Sequence, residues 1–223
     1  MRVSRLHITD ILVTGAQLSL PAESAHYLGT VLRAREGDKV MLFNARDGEF
    51  AAAVSKSKKG HVDVTIGECV RAPENAATLR LHLALGLSRG DRMDYAIQKA
   101  TELGVTEITP LFTEHGEVRL KPDRLENKLR HFEKIAINAA EQCGRLDVPA
   151  INTPLSLDAF LAQETQAKRL LLEPGGELGI TRAALPAIDR FWELKDQVYD
   201  RVINLPSNIL AEARLCDLVA SKL

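Results

Sequence analysis

The chain has 223 residues, 45% of them hydrophobic and 26% charged, with a formal net charge of −1. That composition excludes a disordered or fibrous chain, and near-neutrality excludes a generic polyanion binder working through a field of one sign. No apolar run approaches the roughly 20 residues that span a bilayer, and residues 1–10 carry charge where a secretory signal would be apolar.

In chain order, residues 21–33 read as a short helix, with Pro21 suited to its first turn and Tyr27, Val31 and Leu32 as its apolar positions. Residues 40–44 form an apolar strand, the Asp47-Gly48 dipeptide signals a hairpin, and residues 49–54 return. A polar, lysine-rich connection over 55–60 leads to residues 61–66, whose apolar positions alternate as in a half-buried strand. Strands around one short helix predict a small barrel over residues 1–72, and Arg71 to Asn75 reads as the linker out of it. This segment holds ten Lys/Arg against eight Asp/Glu, while the remainder holds nineteen against twenty-two. A nucleic-acid surface here is therefore a local patch.

The texture changes at Leu79. Residues 79–85 read as a strand buried on both faces, and Asp91 can cap a helix carrying Met93, Ile97, Ala100 and Leu103 at helical spacing. Gly104 ends that helix, and residues 105–112 return as a strand, giving a right-handed parallel βαβ unit. Residues 123–143 carry one apolar stripe ending at Gly144. Residues 170–172 read as a further strand, 186–200 and 209–223 as helices, and 202–206 as a strand end. The prediction is an α/β domain over residues 73–223.

Cys69, Cys143 and Cys216 are widely separated and odd in number, so neither a metal spacing nor a disulfide framework follows. They are expected to be reduced thiols in a cytoplasmic protein. Two constellations suggest chemistry. Asn138, Glu141 and Arg145 have spacings that place them on one helical face, where they could read a base edge and hold a phosphate, or form a solvated face with one ion pair. His26, Tyr27, Arg33 and Arg35 combine aromatic and basic character beside the small barrel, which suits RNA, although a half-buried Tyr with surface arginines looks the same in sequence. Lys56, Lys58 and Lys59 read as a solvated hairpin tip, His82 as a satisfied core histidine, and Glu102 and Glu107 as carboxylates flanking a turn.

Together these segments resemble the bacterial 16S ribosomal RNA uridine-N3 methyltransferases, the RsmE family of the SPOUT class. The matching stretches are His26-Tyr27-Leu28 with Val31-Leu32-Arg33 and Glu36-Gly37-Asp38, then Gly90-Asp91-Arg92-Met93-Asp94 through Gln98-Lys99-Ala100-Thr101-Glu102-Leu103-Gly104-Val105. Ala140-Glu141-Gln142-Cys143-Gly144-Arg145 and Pro149 complete it, and the likeness covers residues 1–177. The resemblance implies a PUA-like β-barrel followed by a SPOUT-type α/β domain with a trefoil knot, a homodimer, S-adenosylmethionine as cofactor and a uridine of small-subunit ribosomal RNA as substrate. On that reading Glu141 and Arg145 are catalytic, His26, Tyr27, Arg33, Arg35 and Gln142 bind RNA, and Leu205, Ile209 and Leu210 contact the cofactor. Arg33 and Arg145 would both meet phosphates.

The sequence departs from the family at its end. Glu173-Pro174-Gly175-Gly176-Glu177 resembles the first cofactor loop in letters but sits at the earlier strand end. At the second loop only Leu205, Ile209 and Leu210 keep register, and Pro206 stands where the family has glycine, closing conformations that glycine leaves open. The alternative reading is an RNA-binding protein with a degenerate, non-catalytic knot domain.

Overall fold

The computed structural model describes residues 3–58, 60–73, 80–88, 90–113 and 122–163. The elements expected over 170–172, 186–200, 202–206 and 209–223, and with them the trefoil knot, lie outside the described residues.

The first sheet is built from β1 (Ser4–His7), β2 (Gln17–Ser19), β3 (Lys39–Asn44), β4 (Gly48–Lys58) and β5 (His61–Arg71), in the order β1-β3-β4-β5-β2. Its core follows the two-residue period: Phe50, Ala52 and Val54 from β4 meet Val62, Val64 and Ile66 from β5, all under 8% exposed. Gly48 closes the β3–β4 hairpin at φ +100, where a Cβ would stand 2.3 Å from the Arg71 carbonyl oxygen. Only glycine fits there. The Asp47 N–H donates to Asn44 Oδ1 at 2.6 Å, which fixes the same turn through a side chain.

Three features of this sheet differ from the sequence reading. β1 and β2 were not anticipated, because three or four residues are too few to show a period. β4 continues through the expected connection to Lys58, pairing Lys56 with Asp63 and Lys58 with His61; of these, Lys56 and Asp63 put opposite charges across the strands, which favours the ladder beyond the buried face. The expected helix over 21–33 divides into α1 (Ala22–His26) and a π-helical turn (Tyr27–Val31).

The second sheet is parallel throughout. β6 (His82–Gly86), α2 (Asp91–Glu102) and β7 (Glu107–Phe112) form the expected βαβ unit, with His82 beside Glu107 and Gly86 beside Leu111. β8 (Ala150–Ile151) and β9 (Leu155–Ser156) both pair with β7, and α4 (Leu157–Leu161) follows. Asp91 does not cap α2: Gly90 holds the N-cap position with no side-chain cap bond, and Asp91 is the first helical residue. Its carboxylate still faces the positive end of the helix dipole. At the other end the Val105 N–H reaches the Ala100 carbonyl at 3.0 Å and the Gly104 N–H reaches Thr101 at 3.1 Å, a Schellman closure with glycine at positive φ.

α3 (Pro122–Cys143) carries the predicted stripe, and Phe132 and Ala136 pack with Met93, Ile97 and Ile108 in one core. Near its C-terminus Ala140 joins Phe43 of β3 and Leu146 in a separate buried cluster. This cluster ties the first sheet to the C-terminal end of α3. Burying a side chain the size of Phe43 or Leu146 stabilises by about 1.5–3 kcal/mol.

Candidate RNA interface and the helix junction behind it

The segment from His26 to Arg35 combines two uncommon backbone features. In the π turn the Leu32 N–H bonds to the Tyr27 carbonyl, five residues back, at 3.0 Å. An α-helix would have kept Leu32 on the face of Leu28, four residues earlier. The wider turn rotates it away. Leu28 is buried at 3% exposure, whereas Tyr27, Val31 and Leu32 are 42%, 59% and 41% exposed. The residues that read as the apolar face of a helix therefore lie in solvent. Gly29 allows the turn to sit close to the sheet, since a Cβ there would meet Val62 Cγ2 at 3.3 Å.

Arg33 ends the turn at φ 54, and the Ala34 N–H closes it by bonding to the Leu28 carbonyl at 2.9 Å. Arg33 alone among the described non-glycine residues has positive φ. The next turn is held by Asp38, whose carboxylate accepts the Arg35 N–H at 2.7 Å. His26, Arg33 and Arg35 are exposed, and none of the three forms an ion pair with another described residue.

The second candidate set lies where α3 ends against the first sheet. Arg5 of β1 donates through Nη1 to the carbonyls of Ala140 and Glu141, both at 2.9 Å, and through Nη2 to Arg145 at 3.1 Å. Its Nε pairs with the buried Glu49 carboxylate, and its guanidinium lies 4.1 Å from the centre of the Phe43 ring. Arg71 adds a bond from Nη1 to the Gly144 carbonyl at 2.9 Å. Carbonyls at a helix C-terminus lack intrahelical partners, and here arginines from the first sheet supply them.

Glu141 and Arg145 do not share a helical face. The helix stops at Cys143 and Gly144 turns the chain at φ +85. The Glu141 carboxylate accepts the His7 backbone N–H at 3.0 Å. Burial raises its pKa, opposed by that bond and by the Arg5 charge, and burial likewise lowers the pKa of His7. Arg145 folds back to the end of α2, bonding the carbonyls of Thr101 and, at 2.9 Å, Val105, and pairs with Asp147 through Nε and Nη2. Its side chain is 11% exposed. A guanidinium with these partners positions helix ends and has little left for a phosphate. Gln142 and Asn138 are exposed on α3.

Elsewhere, His82 is satisfied but not in the core. It opens β6 with its side chain 34% exposed, and Nε2 lies 2.7 Å from Thr109 Oγ1. Glu102 accepts from Lys99 and Gln98, and Glu107 from Asn152. Lys56 and Lys58 are exposed; Lys59, Leu205, Ile209 and Leu210 lie outside the described residues. Among the described residues no group of three metal-ligating side chains occurs and no helix is long and apolar enough to cross a membrane. The sequence reading missed Arg5, His7 and Glu49. The available signal was the alternation of Arg5 and His7 with Leu6 and Ile8, which marks a strand, though not what its polar side meets.

Residues 75–196 match the RNA methyltransferase domain family, and residues 20–67 match the RNA methyltransferase PUA domain. The chain belongs to this RNA methyltransferase family. It is 31% identical to the ribosomal RNA small subunit methyltransferase E of Buchnera aphidicola, over 79% of this chain and 70% of that one. It is 32% identical to the protein of the same name from Rickettsia conorii, over 72% and 63%. Several curated relatives are longer than the matched region, of which it spans 61–63% of their length. A Legionella pneumophila structure described as a methyltransferase with bound S-adenosylmethionine superposes with a TM-score of 0.74 at 35% identity, covering 78% of this chain and 72% of the other. The ribosomal RNA small subunit methyltransferase E of Neisseria gonorrhoeae, bound to the same cofactor, gives 0.67 at 29%, covering 74% and 67%. The architecture is a mixed α/β methyltransferase domain preceded by a PUA-like barrel.

Proposed function

We propose that this chain transfers a methyl group from S-adenosylmethionine to N3 of a uridine in 16S ribosomal RNA, working as a homodimer in the cytoplasm. The observation that carries the RNA half of this reading is the exposed segment His26 to Arg35, apolar and cationic at once on a PUA-like barrel. His26, Tyr27, Arg33 and Arg35 hold the RNA, and the exposed Gln142 meets the target base. Glu141 and Arg145 act as positioning residues, because their polar atoms face the barrel and the end of α2.

The cofactor reading fits the described edge of the sheet. β6 and β7 bring their carboxyl ends together at Gly86 and Leu111, the edge at which open α/β sheets take ligands. Among the described residues, a Cβ at Gly86 would meet only the Thr113 methyl, at 3.6 Å, so backbone there is open to close approach. Leu205, Ile209 and Leu210, to which the resemblance assigns the cofactor, lie outside the described residues. When bound, S-adenosylmethionine supplies an electrophilic methyl group. The chain's own contribution is alignment of the uridine ring and exclusion of water, both of which lower the barrier to such a transfer.

The test incubates the chain with small ribosomal subunits and methyl-labelled S-adenosylmethionine. Label is expected at one uridine, visible as a reverse-transcription stop because an N3 methyl blocks base pairing. A folded protein that gives no label and no calorimetric heat with the cofactor rejects the enzymatic reading.

A further inference from the structure

Three helical segments end at a residue with positive φ. α2 ends at Gly104 (φ 96) and α3 at Gly144 (φ 85), the residue type that adopts this conformation without strain. The π turn ends at Arg33 (φ 54). A side chain at that position destabilises the fold relative to glycine. The arginine makes no ion pair with another described residue that would offset the strain. Strained backbone of this kind concentrates at ligand sites, and π turns do the same.

The neighbours of Arg33 narrow the ligand. Tyr27, Val31 and Leu32 are all more than 40% exposed within six residues, and His26 and Arg35 flank them. An RNA duplex offers phosphates and 2′-hydroxyls across a shallow minor groove, with its base faces hidden by stacking. Apolar side chains gain nothing from that surface. An unpaired strand offers base faces that stack on aromatic rings and phosphates spaced along the same backbone.

We propose that this turn is a platform for unpaired RNA, in which Tyr27 stacks a base and Arg33, held in a glycine conformation, takes the adjacent phosphate. The proposal rests on the RNA-binding reading above and adds the strand state of the ligand and the reason for an arginine at a glycine position.

The experiment measures fluorescence anisotropy of the chain with a labelled uridine-rich single strand and with a hairpin duplex of equal phosphate count, at fixed salt. The single strand is expected to bind at least about tenfold more tightly, since one base stacked on an aromatic ring contributes on that order. Tyr27→Ala should remove most of that preference. Arg33→Gly should bind the single strand several-fold more weakly while its Tm rises by roughly 2–4 °C, the shift expected from relieving strain of this size in a chain of this length. Equal binding of duplex and single strand overturns the platform and leaves the RNA reading standing. No binding of either overturns both. An Arg33→Gly variant with unchanged affinity, or with a lowered Tm, overturns the assignment of Arg33.

Discussion

Arg33 and Arg145 read alike in the sequence, each a cation near an aromatic or carboxylate and each a candidate for phosphate. They end in opposite surroundings. Arg145 directs its guanidinium to the Thr101 and Val105 carbonyls and to Asp147, at the closed end of α2. Arg33 stands in solvent on a strained turn with no ion pair to another described residue. The difference lies in what each side chain finds nearby. Helix ends present unpaired carbonyls, and an arginine within reach of one is drawn into the fold. At the π turn the backbone closes on itself, with the Leu32 and Ala34 N–H groups on the Tyr27 and Leu28 carbonyls, and the exposed Arg33 side chain joins none of the fold's described ion pairs.

The same contrast orders the expected effects of mutation. Arg5→Ala should be the most damaging, because it leaves the buried Glu49 carboxylate only Arg71 at 4.0 Å, takes the arginine from the Glu141 and Arg145 carbonyls, and leaves the Ala140 carbonyl with the Gly144 N–H alone from the backbone. A loss of about 3 kcal/mol is expected, the lower end for removing one partner of a buried pair, measured by urea unfolding. A loss below about 0.5 kcal/mol, the range of ordinary surface substitutions, would break the picture of an arginine-stapled junction.

Arg145→Ala should cost about 2 kcal/mol, since it removes the arginine donor from the Val105 carbonyl and from that of the buried Thr101, which keeps only the Gly104 N–H. Its RNA affinity, measured where the variant is fully folded, should match the parent at every salt concentration. A flatter salt dependence would return Arg145 to the phosphate role that its sequence suggested.

Arg33→Ala inverts that result. Its stability should stay within about 0.5 kcal/mol of the parent, because alanine is strained at the same φ. The slope of log affinity against log salt should fall by roughly 0.7, the value for one phosphate contact on a single strand. An unchanged slope would show that the exposed turn is not an RNA contact.

The smallest effect concerns pH. Burial lowers the His7 pKa from 6.5, so the unfolded chain takes up a proton that the folded chain resists. The stability this group contributes is full above pH 6.5 and is lost as the pH falls through the folded value. Glu141 runs the other way, with burial raising its pKa from 4.5. Its contribution is full below that pH and is lost as the pH rises through the folded value. His7→Gln should flatten the thermal-stability profile on the acid side of 6.5; a profile that keeps the parent's shape would mean that His7 does not carry this dependence.

The strands β3 to β7 and the helices α2 and α3 were legible because each repeats its period several times. Phe50, Ala52 and Val54 alternate, and Phe132, Ala136 and Ala139 recur at helical spacing. β1 and β2 were not, since their stability comes from partners 36 and 48 residues away in sequence, as with Ser4 beside Val40 and Gln17 beside Thr65. The RNA segment was legible as composition. Its geometry was hidden, because a π turn inserts one residue that no pattern of apolar positions announces, and that insertion puts Val31 and Leu32 outside.

By itself the sequence determined the family, the order of barrel and α/β sheet, and the glycines at Gly48, Gly104 and Gly144, because period, turn chemistry and backbone freedom are local properties. Only the tertiary structure decided which arginines are structural and which are available. That depends on whether a carbonyl or carboxylate far away in the chain is brought within hydrogen-bond reach, as Ala140 is for Arg5 and Thr101 is for Arg145, and as no described side chain is for the guanidinium of Arg33.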